Sequence, residues 1–153
     1  MIGLTLAVAL GLPTTCIGCD FAGRDLRGAN LAQVSYVGVD FTRTDLRDAT
    51  FRNAKLTGVD FTRADLSRAN FEGGALVGVD FSDANLRDAD FRNSKLCQRG
   101  NDGRVACADL RGADARGADF RGVLVCRNRE CEPIDAATLR RASKSDLYGA
   151  ILP

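Results

Sequence analysis

The chain has 153 residues, of which 45% are hydrophobic and 27% are charged, enough to build one domain around a buried core. Its 21 basic and 20 acidic residues give a net charge of +1, which excludes the strongly one-signed surface that attracts nucleic acid. Histidine, the most common general base at neutral pH, is absent, so we expect no enzyme and no cofactor.

The N-terminal segment, residues 1–15, contains a charge-free apolar stretch from Ile2 to Leu12. This stretch is too short to span a bilayer, which argues against stable membrane insertion. It is typical of the apolar part of an export signal, and the small residues Ala7 and Ala9 fit a cleavage site. No basic residue precedes it, so the segment is either a remnant of an export signal, which we favour, or an N-terminal cap on the fold.

A five-residue repeat follows. Phe or Leu, and once Tyr, occupies every fifth position from Phe21 through Leu96. A small residue stands two positions before many of these centres, at Ala29, Ala49, Ala54, Ala64, Ala69, Ala84 and Ala89. Asp or Asn commonly follows it, as at Asn30, Asp65, Asn70, Asn85 and Asp90. In this A(D/N)LXX pattern the chain resembles the pentapeptide-repeat family over about two thirds of its length.

The resemblance implies an all-β solenoid, a right-handed quadrilateral β-helix of about five coils. In that geometry each centre and the residue two before it point inward. A second period agrees with four pentapeptides per coil, because Gly-Val-Asp-Phe recurs every twenty residues at 38–41, 58–61 and 78–81. Stacked coils then place Phe21, Phe41, Phe61 and Phe81 in one column, so we expect a filled interior with no lumen for a substrate.

Two insertions interrupt the repeat in its C-terminal third. Residues 97–107 contain Gly-Asn-Asp-Gly, a tight-turn signal that predicts a hairpin projecting from one corner. A fifth coil resumes at Leu110, which we place on the column of Phe81, and residues 126–133 interrupt the coil again. The segment from Pro133 to about Ser143 predicts a short helix with Pro at its entrance. We expect this helical cap, at 134–144, and a final strand at 147–152 to close the open end of the β-helix, which with its insertions spans residues 16–153.

The six cysteines, Cys16, Cys19, Cys97, Cys107, Cys126 and Cys131, form three local pairs that favour disulfides in an oxidising compartment. If Leu96 and Val125 share a column, Cys97 and Cys126 lie at the same outward position in adjacent coils. Two connectivities then stay open: loop-closing bridges Cys97–Cys107 and Cys126–Cys131, which we favour, or Cys97–Cys126 with Cys107–Cys131. Zinc held by the last four thiolates is a less favoured alternative, as is redox exchange by Cys16 and Cys19, and we predict no metal site. The resemblance to exported members of the family extends to the C-x-x-C ahead of the first repeat.

Outward positions also form columns. Asp20, Asp40, Asp60 and Asp80 make a column of carboxylates, for which we favour a structural role over a cation site.

A weakly polar strip of Val37, Thr57 and Val77 offers a contact surface for a partner or for a second copy, and a homodimer by face or end packing stays open. The predicted interaction site is the corner that carries both insertions, where Arg99, Asn101, Asp102, Arg104, Arg127, Asn128 and Arg129 converge.

These features favour a non-enzymatic rigid scaffold or protein-interaction module with an unidentified protein partner, in the periplasm or another extracytoplasmic compartment. A cytoplasmic alternative comes from the resemblance, since the family's best-known activity is protection of DNA gyrase by an acidic surface that mimics DNA. Residues 19–96 carry twelve acidic and eleven basic residues, a balance that opposes this mechanism. A thiol-redox or zinc-binding protein is the remaining alternative.

Overall fold

The computed structural model describes residues 11–145 and 147–153 and shows a right-handed four-sided β-helix with one short helix. The strands are β1 (Thr15–Ile17), β2 (Ser35–Val37), β3 (Lys55–Thr57), β4 (Ala75–Val77), β5 (Lys95–Arg99), β6 (Val105–Cys107), β7 (Leu124–Arg127) and β8 (Glu130–Pro133), and the helix α1 is Ala136–Ser143. One face of the tube is the parallel sheet β1-β2-β3-β4-β5-β7. The other faces are joined by single-residue parallel bridges such as Asp20 with Asp40, twenty residues apart.

The five-residue repeat forms corners because each side ends in a tight turn. On three of the four faces, the N–H three residues after a centre donates to the carbonyl of that centre, as Thr44 does to Phe41 at 3.1 Å. The second of the two residues between them takes a left-handed conformation, with φ of 55° at Arg43. After the fourth face this position is glycine in successive coils, with φ of 59° at Gly38.

The interior is a stack of identical side chains. Phe61 lies 5.1 Å from Phe41 and 5.2 Å from Phe81, measured between ring centroids, with the ring planes nearly parallel. Phe51, Phe71, Phe91 and Phe120 form a second aromatic column with spacings of 4.8–4.9 Å. The two columns meet edge to face, and their rings are buried except for slight exposure of Phe21. The aromatic and aliphatic centres therefore fill the tube as predicted.

The outward Asp column stabilises the turns. Oδ1 of Asp60 accepts a hydrogen bond from the N–H of Thr62 at 2.8 Å, and Asp40 and Asp80 repeat this contact in the neighbouring coils. Asn70, on another face, bonds the N–H of Glu72 in the same way. The carboxylates thus satisfy backbone donors at the corners, which is the structural role that we favoured over cation binding.

Both ends of the described tube are covered. At the first coil the hydroxyl of Tyr36 donates to the carbonyl of Pro13 at 2.6 Å, and Leu12 is buried. The predicted export-signal remnant lies largely in residues 1–10, outside the described residues. At the last coil, Leu139 of α1 is buried, and the N–H of Leu110 donates to the carbonyl of Ser143 at 3.0 Å.

The C-terminal cap differs from the prediction in two respects. Pro133 does not open the helix; it ends β8, and the side chain of Asp135 caps α1 by accepting from the N–H of Thr138 at 2.8 Å. An Asp before the first helical turn satisfies a free N–H, whereas Pro removes one. The expected final strand at 147–152 is a single bridge, in which Ile151 pairs with Asp119.

Candidate interaction site

The two insertions form hairpins that lie side by side. β6 pairs antiparallel with β5, and β8 pairs antiparallel with β7. Because β5 and β7 are parallel neighbours, the hairpins form a continuous projecting sheet in the order β6-β5-β7-β8. The resumption of the coil at Leu110 on the column of Phe81 is confirmed, since the N–H of Phe81 donates to the carbonyl of Asp109 at 2.8 Å.

The predicted alignment of Cys97 with Cys126 is wrong. The register shifts between Lys95 and Cys97, so Cys97 lies opposite Val125 and Gln98 lies opposite Cys126. The extra residue is a β-bulge that leaves both Leu96 and Cys97 buried. Cys97 therefore points away from the outward position that the cross-coil disulfide would need.

The structure pairs the cysteines locally, Cys16 with Cys19, Cys97 with Cys107, and Cys126 with Cys131. Successive residues of a strand point to opposite faces, so the register places the Cys97–Cys107 and Cys126–Cys131 pairs on opposite faces of the projecting sheet. Four thiolates on two faces do not converge on one zinc ion. Within residues 11–145 and 147–153, no group of three or more acidic or cysteine side chains is arranged to hold a metal.

The hairpin corner, defined as residues 97–107 and 126–145, carries an excess of positive charge. It holds seven basic and four acidic residues, a net charge of +3, in a chain whose total is +1. Nζ of Lys144 is bound by Asp109, and a guanidinium nitrogen of Arg99 lies 2.8 Å from a carboxylate oxygen of Glu132. Among the described residues, Arg127 and Arg129 form no ion pair.

The solenoid neutralises its own charges instead. Arg92 binds Asp90 through two guanidinium nitrogens at 2.9 and 2.6 Å, and Arg47 binds Asp45 in the same way. These hydrogen bonds lower the pKa of both carboxyl groups below the ordinary value and outweigh the opposing effect of burial. The Arg side chains of the coils are thus largely occupied by acids of the same coil or of a neighbouring coil, as Arg68 is by Asp48.

The structure brings most of the predicted interaction residues together. Arg99 and Arg127 line one shallow cleft on the projecting sheet, while Asn128 and Arg129 form the turn between β7 and β8. Asn101 and Asp102 lie in the exposed turn between β5 and β6, where Asp102 accepts from the backbone N–H of Arg104 at 3.0 Å. Asp102 therefore has a local structural contact, although its side chain stays exposed, as do those of Glu130 and Glu132.

A groove between β6 and α1 was not predicted. It has a volume of about 630 Å³ and is lined by Gly103 to Cys107 on one side and by Thr138, Arg141 and Ala142 on the other. Its residues come from segments more than thirty positions apart, so no local sequence signal marks it. Val125 and Ile134, both buried, also line the groove, together with Arg99 of β5 and Pro133 at the end of β8.

The cap is fixed beside this groove by an ion pair. Nζ of Lys144, the residue that ends α1, donates to Oδ2 of Asp109 at 2.8 Å. Burial raises the pKa of Asp109, but the hydrogen bonds from Arg111 and Lys144 outweigh it and lower the pKa to about 2. The helix is therefore held to the last coil by a charge pair as well as by its buried face.

The weakly polar strip extends further than predicted. Ile17 stands opposite Val37, Val37 opposite Thr57, and Thr57 opposite Val77. Ile17 is 85% exposed and Val37 is 42% exposed.

Among the described residues no helix is long and apolar enough to cross a membrane.

The family model for pentapeptide repeats (8 copies) matches residues 25–63, 64–98 and 106–124, which is more than half of the chain. The chain belongs to the pentapeptide-repeat family. This pentapeptide-repeat protein resembles a solved structure of Rfr23, a pentapeptide repeat protein from the cyanobacterium Cyanothece 51142, with 20% identity and a TM-score of 0.59 over 80% of this chain and 95% of that one. No curated protein sequence matches it.

Two weaker structural likenesses have TM-scores below 0.5. A pentapeptide repeat protein from the Arabidopsis thaliana thylakoid lumen is 28% identical, with a TM-score of 0.32 over 85% of this chain and 77% of that one. QnrB1, a plasmid-mediated fluoroquinolone resistance protein, is 19% identical, with a TM-score of 0.40 over 69% of this chain and 57% of that one.

Proposed function

We propose that this pentapeptide-repeat protein is a non-enzymatic scaffold whose hairpin corner docks an acidic partner protein. The observation that carries the proposal is the contrast in charge pairing. Ten of the twelve coil arginines, Arg24 and Arg43 being the exceptions, bind an acid of their own or a neighbouring coil. At the hairpin corner Arg127 and Arg129 form no ion pair among the described residues. Cations without an ion pair in the described part of the chain can meet carboxylates of another protein.

The rigidity of the tube supports the same proposal. β5 and β7 continue the stacked sheet directly into the projecting hairpins, and a cysteine pair links the two strands of each hairpin, at the base of the first and beside the turn of the second. A surface that is already ordered loses little conformational entropy when a partner binds. The hairpin corner is therefore a preorganised contact surface.

The same cysteines support an oxidising compartment outside the cytoplasm, because disulfides persist where thiols are not kept reduced. We expect all six cysteines to be oxidised in protein from its natural source. Alkylation under denaturing conditions without reductant, followed by mass spectrometry, should add no label before reduction and six labels after it. Full labelling before reduction would contradict this location.

The gyrase-interacting alternative gains no support from the surface. Mimicry of DNA needs an excess of carboxylates along the tube, whereas the twelve acids of residues 19–96 face eleven bases. Coil ion pairs such as Arg68 with Asp48 reduce the free negative charge further.

Affinity capture from the natural compartment tests the proposal with two variants of equal charge loss. The first replaces the hairpin arginines by Ala: Arg99, Arg104, Arg127 and Arg129. The matched control replaces four coil arginines by Ala: Arg24, Arg43, Arg52 and Arg63. We expect the first variant to lose the partner that the wild type and the control retain. Equal retention by both variants would contradict docking at the hairpin corner.

A further inference from the structure

We infer that the outward surface of β1–β5 binds an acidic amphipathic helix of the partner protein. This inference rests on the proposed function, because it states how an acidic partner would extend from the hairpin corner along the tube. A surface that holds such a helix needs an exposed apolar track and cations beside that track. The outward residues of β1–β5, which we name together the sheet face, provide both.

The sheet face consists of two columns that run along the tube. One column is the weakly polar strip, in which the strand register stacks Ile17, Val37, Thr57 and Val77. The register stacks the other column beside it: Thr15, Ser35, Lys55, Ala75 and Lys95. All four strip residues are β-branched, and Ile17 and Val37 are exposed. The strip is therefore an apolar track that is open to solvent.

The charges on the sheet face are all positive. Lys55 and Lys95 are exposed, and neither forms an ion pair among the described residues. The sequences of β1–β5 contain no Asp or Glu. At an adjoining corner, Glu72 is already paired with Arg52 at 3.1 Å. A partner that matches this face presents carboxylates beside apolar side chains.

The sheet face ends in a cleft at the hairpin corner. The cleft has a volume of about 330 Å³, and its walls come from β4, from β5 and from the turn between β7 and β8: Ala75, Val77, Lys95, Asn128 and Arg129. Gln98 and three cysteines complete the lining, which includes no Asp or Glu of the described chain. Because β5 lies between β4 and β7, the turn reaches across β5 towards the strip. The strip therefore continues into the hairpin corner.

The acids of the second hairpin lie away from this cleft. Glu130 and Glu132 flank Cys131 in β8, and successive residues of a strand point to opposite faces. Cys131 lines the cleft, whereas neither glutamate does. The positive charges of Lys95 and Arg129 therefore remain available to a partner.

The spacing of the lysines favours a helix over an extended strand. Lys55 and Lys95 are two coils apart, which is about 9.6 Å along the tube. Seven residues of α-helix rise about 10.5 Å, so acids at positions i and i+7 lie on one side of a helix and reach both lysines. Three residues of an extended strand cover about the same distance, but an odd step places the two side chains on opposite faces. The helix is therefore the better match.

The strip fits the same helix. Ile17 and Val37 are one coil apart, and Val37 and Val77 are two coils apart. These steps approximate one and two helical turns of about 5.4 Å, so apolar residues at i, i+4 and i+11 would face all three side chains. Parallel sheets with β-branched residues on both faces are normally covered by helices. The exposed strip therefore has the composition of a sheet surface that a helix covers.

Fluorescence anisotropy with the full chain tests the helix directly. The probe is a fluorescein-labelled helical peptide of about sixteen residues, long enough to cover four coils, in which Leu forms one stripe and Glu residues seven positions apart lie beside it. The control probe has the same composition in an order that gives no stripe. We expect the first probe to bind at least about tenfold more tightly than the control. Equal affinities, or no binding of the first probe, would overturn the inference.

Charge reversal on the protein tests the same contact from the other side. The double variant Lys55→Glu and Lys95→Glu should bind the probe about tenfold more weakly, because attraction becomes repulsion. A second probe with Lys in place of Glu should bind this variant and not the wild type. The matched control, Arg24→Glu with Arg43→Glu, reverses two exposed coil arginines that form no ion pair in the described ranges, and it should bind the first probe as the wild type does.

Equal loss of affinity in the two double variants, or no binding of the second probe to the lysine variant, would overturn the inference. Circular dichroism and thermal unfolding establish that the variants are folded. If a variant is not folded, the comparison of the striped and unstriped probes on the wild type decides alone.

Failure of this inference differs from failure of the proposed function. If partner capture depends on the hairpin arginines but not on Lys55 and Lys95, the partner docks at the corner alone. The helix inference is then overturned and the scaffold function stands. If capture depends on the two lysines and not on the hairpin arginines, the sheet face holds the partner and the proposed docking at the hairpin corner is overturned.

Discussion

Replacing Phe61 by Ala tests whether the tube is packed as a stack of rings. Phe61 is fully buried, stacks on Phe41 at 5.1 Å and on Phe81 at 5.2 Å, and meets Phe51 and Phe71 edge to face. Removal of a buried Phe side chain costs about 3–5 kcal/mol, and the lost ring contacts place this site at the upper end of that range. We therefore expect the free energy of unfolding to fall by about 4–5 kcal/mol.

Two related variants calibrate that value. Phe61→Leu should lower the free energy of unfolding by about 1–1.5 kcal/mol. The cost is small because a Leu side chain fits this column, in which the chain itself places Leu110. Phe21→Ala should cost about 2 kcal/mol, because Phe21 is 6% exposed and stacks closely on one ring, Phe41, at 5.2 Å. Urea unfolding followed by far-ultraviolet circular dichroism measures all three. If Phe61→Ala cost less than Phe21→Ala, the interior would not be the continuous stack described here.

Two further predictions concern the surface. Asp60→Ala should lower the free energy of unfolding by about 1 kcal/mol in urea titrations, because the N–H of Thr62 loses its acceptor. The control Asp60→Asn keeps Oδ1 and should cost little. Equal costs of the two variants would show that the turn contact is unimportant. Asp109 has a pKa of about 2 in the folded protein, against an ordinary value of 3.8 in the unfolded chain. This difference contributes about 2 kcal/mol to the free energy of unfolding above pH 3.8, and the contribution is lost as the pH falls towards 2. Lys144→Met should reduce the difference between the free energies of unfolding at pH 5 and pH 2 by about 1 kcal/mol. If the variant showed the same difference as the wild type, the ion pair would be contradicted.

The repeat made the interior of the tube predictable. A five-residue step with a large apolar centre admits one inward direction per side, so Phe41, Phe61 and Phe81 had to share a column once the twenty-residue period was recognised. The turn contacts follow from the same regularity, because on three of the four faces Asp or Asn precedes nearly every centre and lies within reach of a free N–H. The conformation of the periodic positions can therefore be predicted from the repeat itself, with little reference to the rest of the chain.

The hairpin corner was predictable in position but not in register. The Gly-Asn-Asp-Gly sequence marks a turn, but nothing in it shows that β5 contains a bulge after Lys95 that turns Cys97 inward. A one-residue shift exchanges the two faces of a strand, so the cysteine geometry inferred from coil alignment was wrong at Cys97. Such bulges depend on how the insertion packs against the coil above it.

The groove beside α1 depends on contacts between distant segments. Val105 and Arg141 are separated by a whole coil and the second hairpin, and they line the same groove because α1 folds back over the last coil. The start of α1 also differed from expectation, since Asp135 caps the helix and Pro133 lies outside it. No short sequence pattern brings these residues together.

Amide hydrogen exchange of the full chain, with and without its captured partner, tests the central claim most directly. Docking at the hairpin corner should slow exchange in residues 97–107 and 126–135, and leave the exposed turns of the earlier coils unchanged. Protection confined to the strip around Ile17 and Val37, or to the turns near Arg43 and Arg63, would contradict the account.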